Sequence, residues 1–324
     1  MLQSMNRFLE KRMALVTPCC LLLGVCFPEL AGKGLLFVPL FFAFMTFIGG
    51  LKSGFSELAG VLRRPLPLLM CLFCLHIVLP LLALFLGQII FPGNENLITG
   101  IVLEFVVPGA VVGIMWTSIY KGNSPLILAL VVLDTVFAPF SIPFTLKLLL
   151  GSSVQLNTAE MMQELLFMIT LPALFAMVLN EATHGYTKKA LPGRLAPISK
   201  LCLIFVVTAN SSKIAPYMRH MTAEHLLVAA VILLLAASGY GIGWLCAILF
   251  RQNYETKVAM TFGSGMRNIS TGAVIAAQYF PPEVMFPVMI GTLFQQILAA
   301  SFGALLERAE RRGADAAFPS QGRA

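Results

Sequence analysis

Residues 260–278 read MTFGSGMRNISTGAVIAAQ. Both flanks are apolar enough for the inside of a membrane-spanning helix, yet the middle carries Gly263, Ser264 and Gly265, then Arg267 and Asn268. A charged side chain is expensive at that depth, and irregular backbone is tolerated in hydrocarbon only where it is buried in protein or lines a cavity. The stretch predicts a broken helix at a central site, provided that the rest of the chain belongs in a bilayer.

It does. Of 324 residues, 58% are apolar and 11% charged, against about 45–50% and about 25% in ordinary soluble domains. So few charges cannot cover a soluble surface, and the apolar residues fall in runs near the roughly 20 residues that span hydrocarbon as a helix. The fold class is an all-α integral membrane protein. Ten spans are expected, at about 13–30, 34–53, 66–91, 97–120, 124–150, 160–180, 195–215, 224–250, 256–280 and 285–307. Arg7, Lys11 and Arg12 precede an apolar run as in a signal peptide, but no clean cleavage site follows, so this run is read as a retained first span.

Lysine and arginine set the direction. With the amino terminus inside, seventeen basic residues lie on cytoplasmic segments and span ends, and four (Lys33, Lys147, Lys213, Arg219) lie outside. A multi-pass protein of the cell membrane with both termini cytoplasmic is expected. The seven cysteines sit within apolar runs; Cys71 and Cys74 are read as small apolar side chains on one helix face, so neither metal nor cofactor is expected. No GxSxG, HExxH or Walker loop occurs, so the chain is not read as an enzyme, and no nucleic-acid partner is expected.

Five spans followed by five make the second half start from the opposite membrane face, the geometry of an inverted repeat. The divisions are 1–150 and 151–307, with a flexible basic tail over 308–324. The fourth span of the first half carries EFVVPGAVVGIMWTS (104–118), with Pro108, Gly109 and Gly113 near its centre, and the fourth of the second half carries the opening stretch. At about 1.5 Å per residue both interruptions reach mid-bilayer, which predicts a binding site between broken spans four and nine.

Three charges fall well inside spans: Glu104, Asp134 and Arg267. Asp134 and Arg267 are expected to satisfy one another, making spans five and nine neighbours. Arg267 offers a planar fork suited to carboxylates, and half-helix amino termini would add oriented N–H groups. His76, ahead of Pro80, either lines the cavity and titrates with a proton or simply packs. Gln295 and Gln296 read as glue between helices, and GYGIGW (239–244) as close helix packing rather than a nucleotide loop.

These residues resemble the bile acid:sodium symporter superfamily over nearly the whole chain. The most specific parts are PGAVVGIMWTSIYKGN (108–123), APFSIP (138–143) and GMRNISTGAVIAA (265–277). The resemblance implies ten spans with crossed broken helices four and nine, a core of spans three, four, five, eight, nine and ten, a panel of one, two, six and seven, and an organic anion entering between them. Sodium-coupled relatives carry Glu-x-Gly-x-Gln-Asn in span nine; here the positions are Gly263, Ser264, Gly265, Met266, Arg267 and Asn268. A Ser-Asn pair of span four falls on Gly113 and Ile114, and hydroxyl ligands of span five fall near Ile127 and Val131. The expected function is therefore alternating-access transport of a small carboxylate without sodium, with protons as coupling partner: Arg267 replaces the ion's charge, and Asp134 balances it and carries the proton. A sodium-coupled symporter and a non-transporting sensor or scaffold are the alternatives. The candidate substrate or ion site is Arg267, Asn268, Met266, Ser264, Asp134, Gly109, Gly113, Thr117 and His76.

Overall fold

The computed structural model describes residue 16 and residues 19–51, 60–63, 65–151 and 157–317. Arg7, Lys11, Arg12, Lys52, Arg64, Arg323 and most of the start of the expected first span lie outside the described residues. The regular structure is helical throughout: a stretch over 19–26 that bends at Phe27, then α1 (Pro28–Gly50), α2 (Leu66–Ile90), α3 (Glu95–Val106), α4 (Val112–Ile119), α5 (Ser124–Leu150), α6 (Thr158–Ala182), α7 (Tyr186–Arg219), α8 (Ala223–Leu249), α9 (Tyr254–Gly265), α10 (Ile269–Tyr279) and α11 (Pro282–Ala317).

Seven of these are long and apolar enough to cross a membrane: α1, α2, α5, α6, α7, α8 and α11 up to Arg311. The expected fourth and ninth spans are each in two pieces, α3 with α4 and α9 with α10, and no piece exceeds 12 residues. Exposed Phe85, Phe137, Phe144, Phe167, Phe175 and Leu234 point outward, as side chains facing lipid do.

Local chemistry starts many of the helices in the same way. A helix leaves its first N–H groups without partners, and an Asn or Thr side chain can accept one. Asn94, Asn123, Asn157, Asn253 and Asn268 do this for α3, α5, α6, α9 and α10, and Thr222 for α8, where His225 completes a capping box. Two helices carry a π-helical turn, Cys74–Val78 in α2 and Leu166–Thr170 in α6, each followed by Leu-Pro. Pro80 and Pro172 have no N–H to return, so the preceding residue reaches one position further back, Leu79 to Cys74 and Leu171 to Leu166.

The last helix differs from expectation. It continues past Glu307 to Ala317, through half of the segment read as a loose tail, and Glu307 pairs with Arg311 one turn on at 2.7 Å. Alanine, glutamate and arginine are good helix formers and carry the helix through Gly313.

The helices pack in two groups. α1 lies against α6 and α7, whereas α3 lies between α2 and α11, and α8 packs on α9 and α11. The close approach of α8 to α9 explains GYGIGW: at Gly243 an added Cβ would lie 2.5 Å from the Met260 carbonyl oxygen, and at Gly239 3.0 Å from that of Ser264. Gly241, on the other face, has open space. α5 bridges the groups, touching α6, where the Thr170 hydroxyl donates to the Val136 carbonyl at 3.0 Å.

Candidate functional site

The two breaks meet. Helix α3 ends at Val106 and Val107 turns extended; α9 ends at Gly265 and Met266 is likewise extended. The released backbones pair antiparallel at Gly109 and Arg267. Ala110 N–H donates to the Met266 carbonyl at 3.1 Å and Asn268 N–H to the Pro108 carbonyl at 2.8 Å. Each break thus satisfies the other's main chain where no water would do so. Asn268 then caps α10, its side chain accepting from Thr271 N–H at 3.3 Å.

Asp134 reaches this junction from α5. Its Oδ2 accepts from Gly109 N–H at 2.7 Å, the short length typical of a charge-assisted bond. Its Oδ1 lies 2.8 Å from Nε2 of His76, a close approach not aligned as a hydrogen bond. His76 sits within the π-helical turn of α2. The expected direct pairing of Asp134 with Arg267 is therefore corrected. The backbone amide of Gly109 and the imidazole of His76 occupy the carboxylate, and Arg267 acts on it only through the field. Spans five and nine are nevertheless neighbours: Ile127 and Leu130 of α5 press on Gly263.

Arg267 is 3% exposed. Nη1 makes a long bond of 3.5 Å to the Val107 carbonyl, and the guanidinium carbon lies 6.0 Å from the Phe105 ring centre. Nε and Nη2 are buried and have no partner among the described residues. A guanidinium has five N–H donors in a fixed fork, so this one retains donors to offer within the protein.

The remaining candidates divide. Gly109, Met266 and Asn268 belong to the junction, and Gly113 lies beside it, where an added Cβ would sit 3.7 Å from the Met266 sulfur. Ser264 turns its hydroxyl towards Gly243 of α8, near the Cys71 and Cys74 thiols, and makes no well-aligned hydrogen bond among the described residues. Thr117 stands near the end of α4, beside Gly122, fully buried and also unpartnered. Gln296 accepts from the Trp116 indole at 2.8 Å, joining α11 to α4. Among the described residues no cluster of three His, Cys, Asp or Glu could hold a metal ion.

The chain belongs to the Sodium Bile acid symporter family, whose profile matches residues 39–218. It is a multi-pass membrane transporter and not an enzyme. The uncharacterized protein YbaS of Bacillus subtilis is 40% identical over 298 residues, 92% of this chain and 97% of YbaS. The uncharacterized sodium-dependent transporter YocS of the same organism is 22% identical over 275 residues, 85% and 84% of the two chains. The hepatic sodium/bile acid cotransporter of Rattus norvegicus is 23% identical over 265 residues, 79% and 71%. The family match ends before α9, so Arg267 lies beyond it.

Proposed function

We propose that the protein carries a small organic carboxylate across the cell membrane by alternating access, without sodium. In this reading ten helices form two inverted five-helix repeats, 1–150 and 151–307, with both termini cytoplasmic and a core rocking against a panel. The observation that carries it is Arg267: a fixed cation inside the junction, with Nε and Nη2 unpartnered. An incoming carboxylate can take both, and α4 and α10 each start within two residues of the paired backbones, where their amino-end dipoles favour an anion.

The packing around the former ion positions supports sodium independence. Ile127, 1% exposed, fills the space beside Gly263 and Gly113, where relatives of the sodium-coupled pattern offer oxygen ligands. Sodium needs several oxygens, and a hydrocarbon side chain supplies none. The names of YocS and the rat cotransporter favour the second reading, a sodium-coupled symporter.

Uptake of radiolabelled pyruvate, pantoate and taurocholate into proteoliposomes, in sodium or choline buffer, separates the readings. The expected result is saturable, counterflow-capable flux of at least one acid, equal in both buffers and abolished by Arg267→Gln. Flux that requires sodium establishes the second reading. Binding without flux would make the protein a sensor, and unchanged uptake and affinity in Arg267→Gln would refute the anion-site assignment.

A further inference from the structure

Glu104 is a buried carboxyl to which the anion site above gives no task. It stands on α3, where every residue from Leu97 to Val106 is buried, and it is itself 3% exposed. Its Oε1 rests against Gly291 of α11, where an added Cβ would lie 2.4 Å away, so the glycine makes room for the carboxyl. Its Oε2 is buried without a partner among the described residues. Among the described residues Glu104 forms no ion pair within 4 Å, although Arg267 acts on it electrostatically.

The two carboxyls near Arg267 are thus held differently. Asp134 accepts a short bond from a backbone amide and touches an imidazole, contacts that suit an anion. Among the described residues Glu104 receives no hydrogen bond; the charge of Arg267 is what favours its ionised form, and once a bound anion offsets that charge a carboxylate buried there is costly. The helices packed on α3 are α2, α5, α10 and α11. Away from the helix ends and before Glu307 of α11, their titratable side chains are Cys71, Cys74 and His76 on α2 and Asp134 on α5; Arg267 is the charged group acting on Glu104.

We infer that Glu104 is the seat of a proton that travels with the anion, while Asp134 remains a fixed charge; this rests on the carrier reading and deepens it. A bound carboxylate adds one negative charge to the junction, and one proton taken by Glu104 restores the charge present before binding. The proton comes from hydronium on the side of anion entry: an O–H bond forms at Glu104 as one breaks in the hydronium, which is left as water. It returns to water on the opposite side as the anion leaves, and nothing is oxidised or reduced.

Infrared difference spectra of the purified full-length protein in lipid, acid minus alkaline, test the seat directly through the C=O stretch of a protonated buried carboxyl. The expected band is present in the wild type, lost in Glu104→Gln and retained in Asp134→Asn. Its absence from the wild type, or its loss in Asp134→Asn with retention in Glu104→Gln, overturns the assignment. Proteoliposomes with an imposed pH gradient and radiolabelled pyruvate, pantoate or taurocholate give the second readout. Wild-type accumulation follows the gradient, and Glu104→Gln flux no longer responds to it; a retained response refutes the proposal. Should Glu104→Gln carry no flux, the infrared band decides. Wild-type silence towards all three acids counts against the carrier reading itself, and the band then decides the proton seat alone.

Discussion

Gly241 and Gly243 stand two residues apart on α8, and replacing each by alanine should have opposite effects. At Gly243 the new methyl would meet the Met260 carbonyl oxygen at 2.5 Å and the Ser264 Cβ at 2.8 Å. An unstrained C···O contact needs about 3.3 Å, so α8 and α9 would have to part by about 0.8 Å. Overpacking of this kind costs about 1–3 kcal/mol, and a backbone atom cannot swing aside, which places the cost near the upper end. Alanine recovers about 1 kcal/mol of helix propensity, leaving a net loss of about 1–2 kcal/mol. At Gly241 the methyl meets nothing, so only the gain of up to about 1 kcal/mol remains. The assay is thermal unfolding of both purified variants in one detergent. A change of 1 kcal/mol moves Tm by about 2–4 °C in chains of 150–250 residues and by less here, so a separation of several degrees is expected. Equal midpoints, or Gly241→Ala as the less stable variant, would refute the claim that this motif exists for helix contact.

Three further outcomes follow from the junction. Asp134→Ala leaves the Gly109 N–H buried and unpaired, costing about 1–3 kcal/mol, whereas Asp134→Asn keeps an acceptor; a lower Tm for the alanine variant is expected, and equality would contradict the bond. Asn268→Ala removes the cap of α10 and should cost about 1 kcal/mol in the same measurement. An added Cβ at Gly265 would lie 2.3 Å from the Tyr240 ring, which is fully buried and stacked on Phe302. Tyr240→Leu should therefore partly rescue Gly265→Ala, with a coupling of about 0.5–3 kcal/mol in a double-mutant cycle; strict additivity would argue against the contact.

The two breaks were legible because Pro108, Gly109, Gly263 and Gly265 interrupt apolar runs that otherwise read as continuous, and because Arg267 has no business in hydrocarbon unless protein surrounds it. That the breaks pair main chain to main chain was not legible: hydrogen bonds between backbones leave no mark on side-chain identity. The partner of Asp134 was misread for a related reason. Sequence offered Arg267 as the nearest opposite charge, but His76 reaches Asp134 because of its place in a π-helical turn on α2, and the turn is set by where Pro80 lacks an N–H. The roles of Gly239, Gly243 and Gln296 in helix contact were readable in kind, though the faces they meet depended on packing.

The reciprocal bonds between Ala110 and Met266 and between Asn268 and Pro108 also limit how this protein can move. Pulling α3 and α4 away from α9 and α10 would strand two amides and two carbonyls far from water, each at a cost comparable to a lost buried hydrogen bond. The junction behaves as a rivet through the centre of the molecule. On the carrier reading, a rearrangement that exposes it to one face and then the other carries the riveted pieces as one body, and the sliding takes place where helices touch only through side chains.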